Sequence, residues 1–359
     1  MTKDINNENP LLKAAEVIKK GGIVVFPTET VYGLGADATN VKAVKKIFKA
    51  KGRSMDNPLI VHIADKKDLK KIVDSVPVVA KKLIDKFWPG PLTILFKKNS
   101  IIPSEVTAGL DTVAVRLPNH ALARALIREA GVPIAAPSAN ISGKPSPTEA
   151  SHAKKDLSKK VDFTPAPLEY TKRHSGQLNK KVWGYILSAE RSKHGIESTV
   201  INVLVKPPVI LRQGAVTQEE IEKVIGKVNT ANSKSQMANG ELISPGMRYR
   251  HYAPKARLIL PDVEPRDTPK AIGYLIEKYQ LAKKRVGVLG TRENYQSYKK
   301  ANRVIILGSG KNLSTCAANL FKSLRDFDRF NDVDIILSET FLEKGIGAAI
   351  MERLRKAAS

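Results

Sequence analysis

One cysteine among 359 residues removes two kinds of chemistry at once. Cys316 alone can close no internal disulfide and build no thiolate-rich metal cluster, and such sparing cysteine use suits a reducing compartment. Its setting, LSTCAANLF, carries apolar residues at helical spacing and reads as a small buried hydrophobe. Long apolar runs are missing too. Stretches such as Gly22–Phe26 and Val113–Val115 fall far short of the ~20 residues a membrane-spanning helix needs. The opening MTKDINNENP has no apolar centre of a secretion signal, so a cytoplasmic location with no membrane partner is expected. Aromatics are scarce at 6%, which argues against an RNA surface built on stacked rings.

Acidic residues are outnumbered 35 to 60 by Lys and Arg, leaving a net charge of +25. The excess is spread out, +17 over residues 1–250 and +8 over residues 251–359, so it marks no single arm or groove. Many lysines sit on helical faces such as KKDLKKIVD and VAKKLIDKF, where charge is solvated surface. The balance still favours anionic partners, polyphosphate and tRNA first among them, with binding that weakens as salt rises.

The length and a 42% hydrophobic content allow two domains, each with its own core. Over residues 1–220 helical and strand patterns alternate. Asn9 and Pro10 read as the N-cap and first position of a helix through LLKAAEVIKK, stopped by Gly21, and Asn40 caps VKAVKKIFKAK. GIVVF, LIVHI, LTILF, TVAVRLP, VPIAAPS, ESTVINVL and PVILRQG read as strands. Several follow one another without a helix between them, which predicts a mixed sheet. Residues 221–250 read as a linker around the polar run GKVNTANSKSQMANGE. Over 251–359 short apolar strands alternate with amphipathic helices, predicting a smaller, parallel, Rossmann-like α/β domain. No dinucleotide fingerprint accompanies it, and GSGKN at Gly308–Asn312 lacks P-loop spacing. Residues 162–194 break the alternation. With ten basic against four acidic residues between Lys154 and Lys193, they read as a basic insertion: a surface loop by default, a lid or tRNA-contacting element on the sharper reading.

Certain side chains invite chemistry. Lys51 and Arg53 stand two apart just past a predicted helix end, where extended backbone would aim both the same way, either toward a phosphate or simply against the helix dipole. Ser138 and Asn140, with Ser142, Gly143 and Ser146, form either a nest of donors for phosphate oxygens or an ordinary turn. Arg212 ends a strand in LRQG, where a guanidinium can hold a phosphate bidentately. Arg116 interrupts the apolar run TVAVRLP and needs an anionic partner, which a nearby acid such as Glu29 or a substrate carboxylate can supply. His62, in LIVHI, reads as a core histidine, and with no Cys or second His at ligand spacing it suggests no metal site.

Taken together, PTETVYGLG (Pro27–Gly35), KGR (Lys51–Arg53), NPL (Asn57–Leu59), His62, WPGPLT from Trp88, VAVRLP from Val113, APSAN from Ala136 and GIEST from Gly195 resemble the YrdC-like family. SPGMRYRHYAP, at Ser244–Pro254, resembles the junction of that family's long, two-domain form. The resemblance implies an α/β fold, a twisted mixed sheet with helices around a concave pocket. It implies an enzyme, a nucleotidyltransferase making L-threonylcarbamoyl-AMP from L-threonine, bicarbonate and ATP with release of pyrophosphate, the first step of threonylcarbamoyladenosine formation in tRNA. ATP is then a substrate, magnesium arrives with it, and a tRNA-modifying transferase complex takes the product. Carried over by position, ATP contacts fall on Lys51, Arg53, Asn57, Thr112, Ser138, Asn140, Ser146 and Arg212, with Tyr252 reaching in from the junction. Threonine contacts fall on Thr30, His62, Arg116, the backbone at Ala136, and Ser198. Lys51 and Arg53 carry the catalytic charge.

Two other classes remain open from the residues. One is a double-stranded RNA or tRNA binding module on the same fold. The other is a carbamoyl-transfer enzyme of hydrogenase maturation, whose accessory zinc modules need more cysteines than this chain has.

Overall fold

Strand β1 (Ile23–Phe26) is apolar on both faces because both faces are covered. Ile23 and Val25 enter one buried cluster while Val24 and Phe26 enter another, since successive strand side chains point to opposite sides. The computed structural model describes residues 9–163, 182–231 and 252–358 of the chain. Of the basic insertion read at 162–194 and the linker read at 221–250, residues 164–181 and 232–250 lie outside these; within the described parts Val182–Ile186 and Asn229–Thr230 are strands and the helix Gln218–Ile225 runs into the linker range, a correction to both readings.

The first sheet continues with β2 (Gly33–Asp37), β3 (Ile60–His62), β4 (Leu92–Lys97), β5 (Thr112–Arg116) and β6 (Ile134–Ala136). To these it adds β7 (Val161–Asp162), β8 (Val182–Ile186), β9 (Thr199–Asn202), β10 (Val209–Arg212) and β11 (Asn229–Thr230). Among the described residues its order is β11-β10-β9-β4-β5-β3-β6-β2-β1-β8-β7. Parallel pairs such as β3·β5 and β4·β9 alternate with antiparallel ones such as β4·β5 and β9·β10, the mixed sheet that consecutive strands require. The second sheet, β12 (Arg257–Ile259), β13 (Val286–Thr291), β14 (Arg303–Gly308) and β15 (Ile335–Ser338), has the order β12-β15-β13-β14 and is parallel throughout.

Helix ends follow the sequence closely. Asn9 Oδ1 accepts the Leu11 amide at 2.9 Å with Pro10 behind it, and Asn40 Oδ1 accepts the Ala43 amide at 3.1 Å. One expectation is corrected. Lys51 is the last residue of the helix Val41–Lys51, and Gly52 turns the chain at φ +61°, so Lys51 and Arg53 diverge from a left-handed helix cap and not from extended backbone. Strand β2 is also absent from the strands read in the sequence. Its glycines make room for a ring. A Cβ on Gly35 would stand 2.8 Å from Cε1 of Phe26 and 2.5 Å from Cγ2 of Ile134.

The two sheets share an apolar contact as well as polar ones. Val31 and Ile196, from loops of the first unit, pack in the same buried cluster as Tyr252, Phe321 and Leu324 of the second. From the helix Leu313–Phe330, Arg325 donates to Pro145 O at 2.5 Å and to Asp156 Oδ2 at 2.8 Å. Arg191 returns the contact, donating to Ala318 O at 2.6 Å.

Candidate active site

The parallel register of β3 and β5 sets His62 beside Arg116, and both side chains wall one cavity. Thr28, Thr30 and Val31 close it from the β1–β2 connection. Ala136, Ser138 and Asn140 line it at the end of β6, Ser198 and Glu197 before β9, and Arg212 at the end of β10. Tyr252 covers it from the junction with the second unit. Nine of the residues expected from sequence therefore share one wall.

On one side lies a cationic and hydroxyl group. Arg116 Nη1 donates to Thr30 Oγ1 at 2.9 Å, its Nε to Gly90 O at 3.3 Å, and its Nη2 stands 2.7 Å from Glu29 Oε1. Of the two partners open to Arg116 from sequence, Glu29 is present. Burial opposes ionisation of Glu29, but the guanidinium outweighs it and holds the carboxyl below its usual range. His62 is buried with Nδ1 unpartnered and packs edge-on against Phe26 at 5.9 Å. Burial first, and Arg116 next, push its pKa down to about 3, so the imidazole is neutral near pH 7.

A second polar group stands at the loop that follows β6. Lys51 Nζ, fully buried, donates to Ser138 O and Asn140 O, each at 2.5 Å, and so fixes the turn from behind. Burial drives the Lys51 pKa well down. Ser138 Oγ donates to Asn140 Oδ1 at 2.5 Å, and the Asn140 amide donates to Ile141 O and Lys144 O. Arg53 Nη2 grips Asn57 Oδ1 at 2.5 Å and Pro58 O at 2.9 Å, and Pro58 lines the cavity. Burial, then Arg212, lowers the Arg53 pKa to about 10. Lys51, Arg53, Asn57 and Ser146 thus stand one layer behind the wall. Thr112 is half-buried at the start of β5, opposite Lys97. Arg212 donates through Nε to Ser198 O at 3.0 Å and through Nη2 to Ser198 Oγ at 3.1 Å, and Ser198 Oγ shares a hydrogen bond with Thr93 at 2.8 Å.

The whole chain is similar to known proteins. The sequence profile of the Sua5/YciO/YrdC family, described as telomere recombination, matches residues 16–214, and a profile for the C-terminal domain of threonylcarbamoyl-AMP synthase matches residues 216–359. The chain belongs to the Sua5/YciO/YrdC family. A threonylcarbamoyl-AMP synthase of Bacillus subtilis is 45% identical over 360 residues, covering 100% of this chain and 96% of that one. One of Pyrococcus abyssi is 45% identical over 345 residues, covering 96% and 92%. The crystal structure of P. abyssi Sua5 complexed with L-threonine superposes with a TM-score of 0.84 at 44% identity, covering 97% of this chain and 94% of that one.

Within this Sua5/YciO/YrdC chain, Glu197 is a site residue that the sequence alone does not single out. Glu197, in GIEST, lines the cavity, accepts from Ser146 Oγ at 2.7 Å and pairs with Arg353 Nε at 3.1 Å. Burial disfavours its charge, yet Arg353 and then Arg212 bring its pKa to about 2. A buried carboxylate among conspicuous serines was the available signal, but its partner lies 156 positions away. Among the described residues no group of three or more His, Cys, Asp and Glu side chains is arranged to hold a metal, and no helix is long and apolar enough to cross a membrane.

Proposed function

We propose that this chain is a threonylcarbamoyl-AMP synthase, a nucleotidyltransferase joining L-threonine, bicarbonate and ATP into L-threonylcarbamoyl-AMP with release of pyrophosphate. The full-length relatives of that name and the threonine carried by the P. abyssi structure support the reading. What carries it is the convergence on one cavity of Arg116, His62 and Thr30 on one side with Ser138, Asn140 and Arg212 on the other.

The threonine amine adds to bicarbonate, water leaves, and a carbamate forms. A carbamate oxygen then attacks the α-phosphorus of ATP and pyrophosphate departs. The substrates supply the nucleophile, so the protein's work is placement, charge and exclusion of water from the product anhydride. Arg116 takes the threonine carboxylate, Thr30 and Ser198 its hydroxyl, the Ala136 backbone its amine side, and neutral His62 its flank. Lys51, Arg53, Asn57, Thr112, Ser138, Asn140, Ser146, Arg212 and Tyr252 serve ATP, with Lys51 and Arg53 supplying catalytic charge. A bound triphosphate favours the charged form of Lys51 that burial opposes. The nearby acids Glu29 and Glu197 each face an arginine, so magnesium is held by phosphate oxygens and not by a protein cage. A cytoplasmic location, a catalytic domain over 1–220, a linker within 221–250, a C-terminal domain over 251–359, and delivery of the labile product to a tRNA-modifying transferase complete the proposal.

Threonine-dependent exchange of labelled pyrophosphate into ATP, run with bicarbonate, tests it. Exchange that vanishes without threonine is expected. Tight tRNA binding without exchange would replace this reading with an RNA-binding module.

A further inference from the structure

The largest fully buried side chain among the described residues is a cation from the last helix. Arg353, in Ile346–Ala358, has no exposed surface, yet it belongs to the second unit and ends against the wall of the cavity in the first. Its Nε donates to Glu197 Oε2 at 3.1 Å and its Nη1 to Gln213 O at 2.5 Å. The neighbouring Glu352 completes a clamp, because its Oε2 accepts the Gln213 amide at 2.9 Å. Both polar groups of one backbone position, immediately after Arg212, are therefore held by consecutive residues of the C-terminal helix.

The clamped segment has little freedom elsewhere. A Cβ on Gly214 would stand 2.2 Å from Thr199 N and 2.4 Å from Ser198 C, so the chain after Arg212 lies directly on the chain that presents Ser198. Glu197 in turn receives Ser146 Oγ at 2.7 Å. Arg212, Ser198, Glu197 and Ser146 thus share one fixed backbone frame, and Arg353 is the cation that neutralises its acid.

We infer that Arg353 is a positioning residue for the reaction: from the C-terminal domain it keeps Glu197 ionised and Gln213 in place, so that Ser146, Ser198 and Arg212 face the substrates. The inference rests on the synthase reading. It makes the second domain a structural part of the cavity wall, since a buried carboxylate with its cation removed protonates or moves. The groups facing Glu197 are Arg353 from the last helix, Arg212 from β10, Ser146 from the loop before the helix Ala150–Leu157, Tyr252 from the junction, and Glu352 across Gln213. Of these only Arg353 and Arg212 oppose its charge.

Full-length R353M, R353K and E197Q are assayed for pyrophosphate release from pH 5 to pH 9, with melting temperature and threonine calorimetry as controls. Activity of the unaltered protein tests the synthase reading separately. R353M is expected to lose kcat on the order of 10²-fold, with a smaller loss of threonine affinity through the displaced Ser198. Its activity acquires an acid limb that the unaltered protein lacks in this range. R353K, which keeps the charge without the fork, restores part of kcat and removes that limb, and E197Q shows no such limb. Unchanged kcat and pH profile in a folded R353M would overturn the inference, as would equal loss in R353K and R353M. Should R353M not fold, R353K decides alone: no acid limb supports the inference, and a limb refutes it.

Discussion

Arg116 Nη2 lies 2.7 Å from Glu29 Oε1, both side chains buried, yet neither atom has an aligned hydrogen bond. The acid compensates the charge while leaving that edge of the guanidinium with room for a better-aligned acceptor. A substrate carboxylate is such an acceptor, and a bidentate fork would bind it more tightly than an ammonium can. Arg116→Lys should therefore weaken threonine binding by about 1.5–3 kcal/mol, the range for hydrogen bonds to charged groups, with ATP binding little changed. Calorimetry with each substrate checks this. Equal threonine affinity in the variant would remove Arg116 from the site.

Acid should weaken the fold in two windows. His62 has its pKa lowered from 6.5 to about 3, so below pH 6.5 the unfolded chain binds a proton that the native cavity refuses. Stability then falls with pH by at most about 1.4 kcal/mol per unit, down toward pH 3. Glu29, also lowered, contributes stability above its unfolded value of 4.5 and loses it as pH falls through the folded value. His62→Asn should reduce the upper slope, to which His120, His152 and His194, also lowered by burial, contribute as well, and Glu29→Gln should reduce the lower one. Urea unfolding at half-unit pH steps measures both. A slope unchanged in His62→Asn between pH 6.5 and 5 would show that His62 does not titrate there.

How far the sequence could be read depended on whether the cause was local. Asn9 with Pro10, and Asn40 before its helix, announce helix starts because a cap acts within three residues. Alternation of helix and strand beyond residue 251 likewise announced the parallel sheet. Strand β2 escaped because its glycines lower strand propensity, and the ring of Phe26 that requires them lies on a neighbouring strand. His62 looked like a core histidine, which it is in burial, and nothing local marks its unpartnered Nδ1 or its place on the cavity wall. Glu197 and Arg353 are legible only together, and only the fold brings them together.

At Gly195 the two units touch backbone to backbone. Its φ is +67°, and a Cβ there would stand 2.2 Å from Ala318 O in the helix Leu313–Phe330. Gly195→Ala thus meets both a left-handed backbone and a clash that no side-chain rotation relieves. We expect a cost of about 1–3 kcal/mol from the backbone alone, and a displaced helix that weakens the Arg191 contact to Ala318. Thermal melting and small-angle scattering follow the two effects. An unchanged melting temperature together with an unchanged radius of gyration would mean that the interface yields at no cost.

Tyr252 joins the cavity to the second domain and does so in a strained conformation. Its φ is +65°, its ring packs against Phe321 at 4.9 Å with 33° between planes, and the next amide, Ala253, donates to Gly143 O at 3.0 Å. Burial pushes its phenol up, so the hydroxyl stays protonated at any working pH. A left-handed tyrosine persists only where its surroundings hold it, and here the holder is an aromatic contact above the proposed ATP side. Tyr252→Phe keeps that contact and should melt close to the unaltered protein, with only the hydroxyl's share of turnover lost. Tyr252→Ala removes the ring, and its loss should cost about 3 kcal/mol, raise KM for ATP and lower turnover while the heat of threonine binding stays the same. Steady-state kinetics with ATP varied at saturating threonine separates these outcomes. Turnover and ATP affinity unchanged in Tyr252→Ala would show that this ring holds the domains together without serving the reaction.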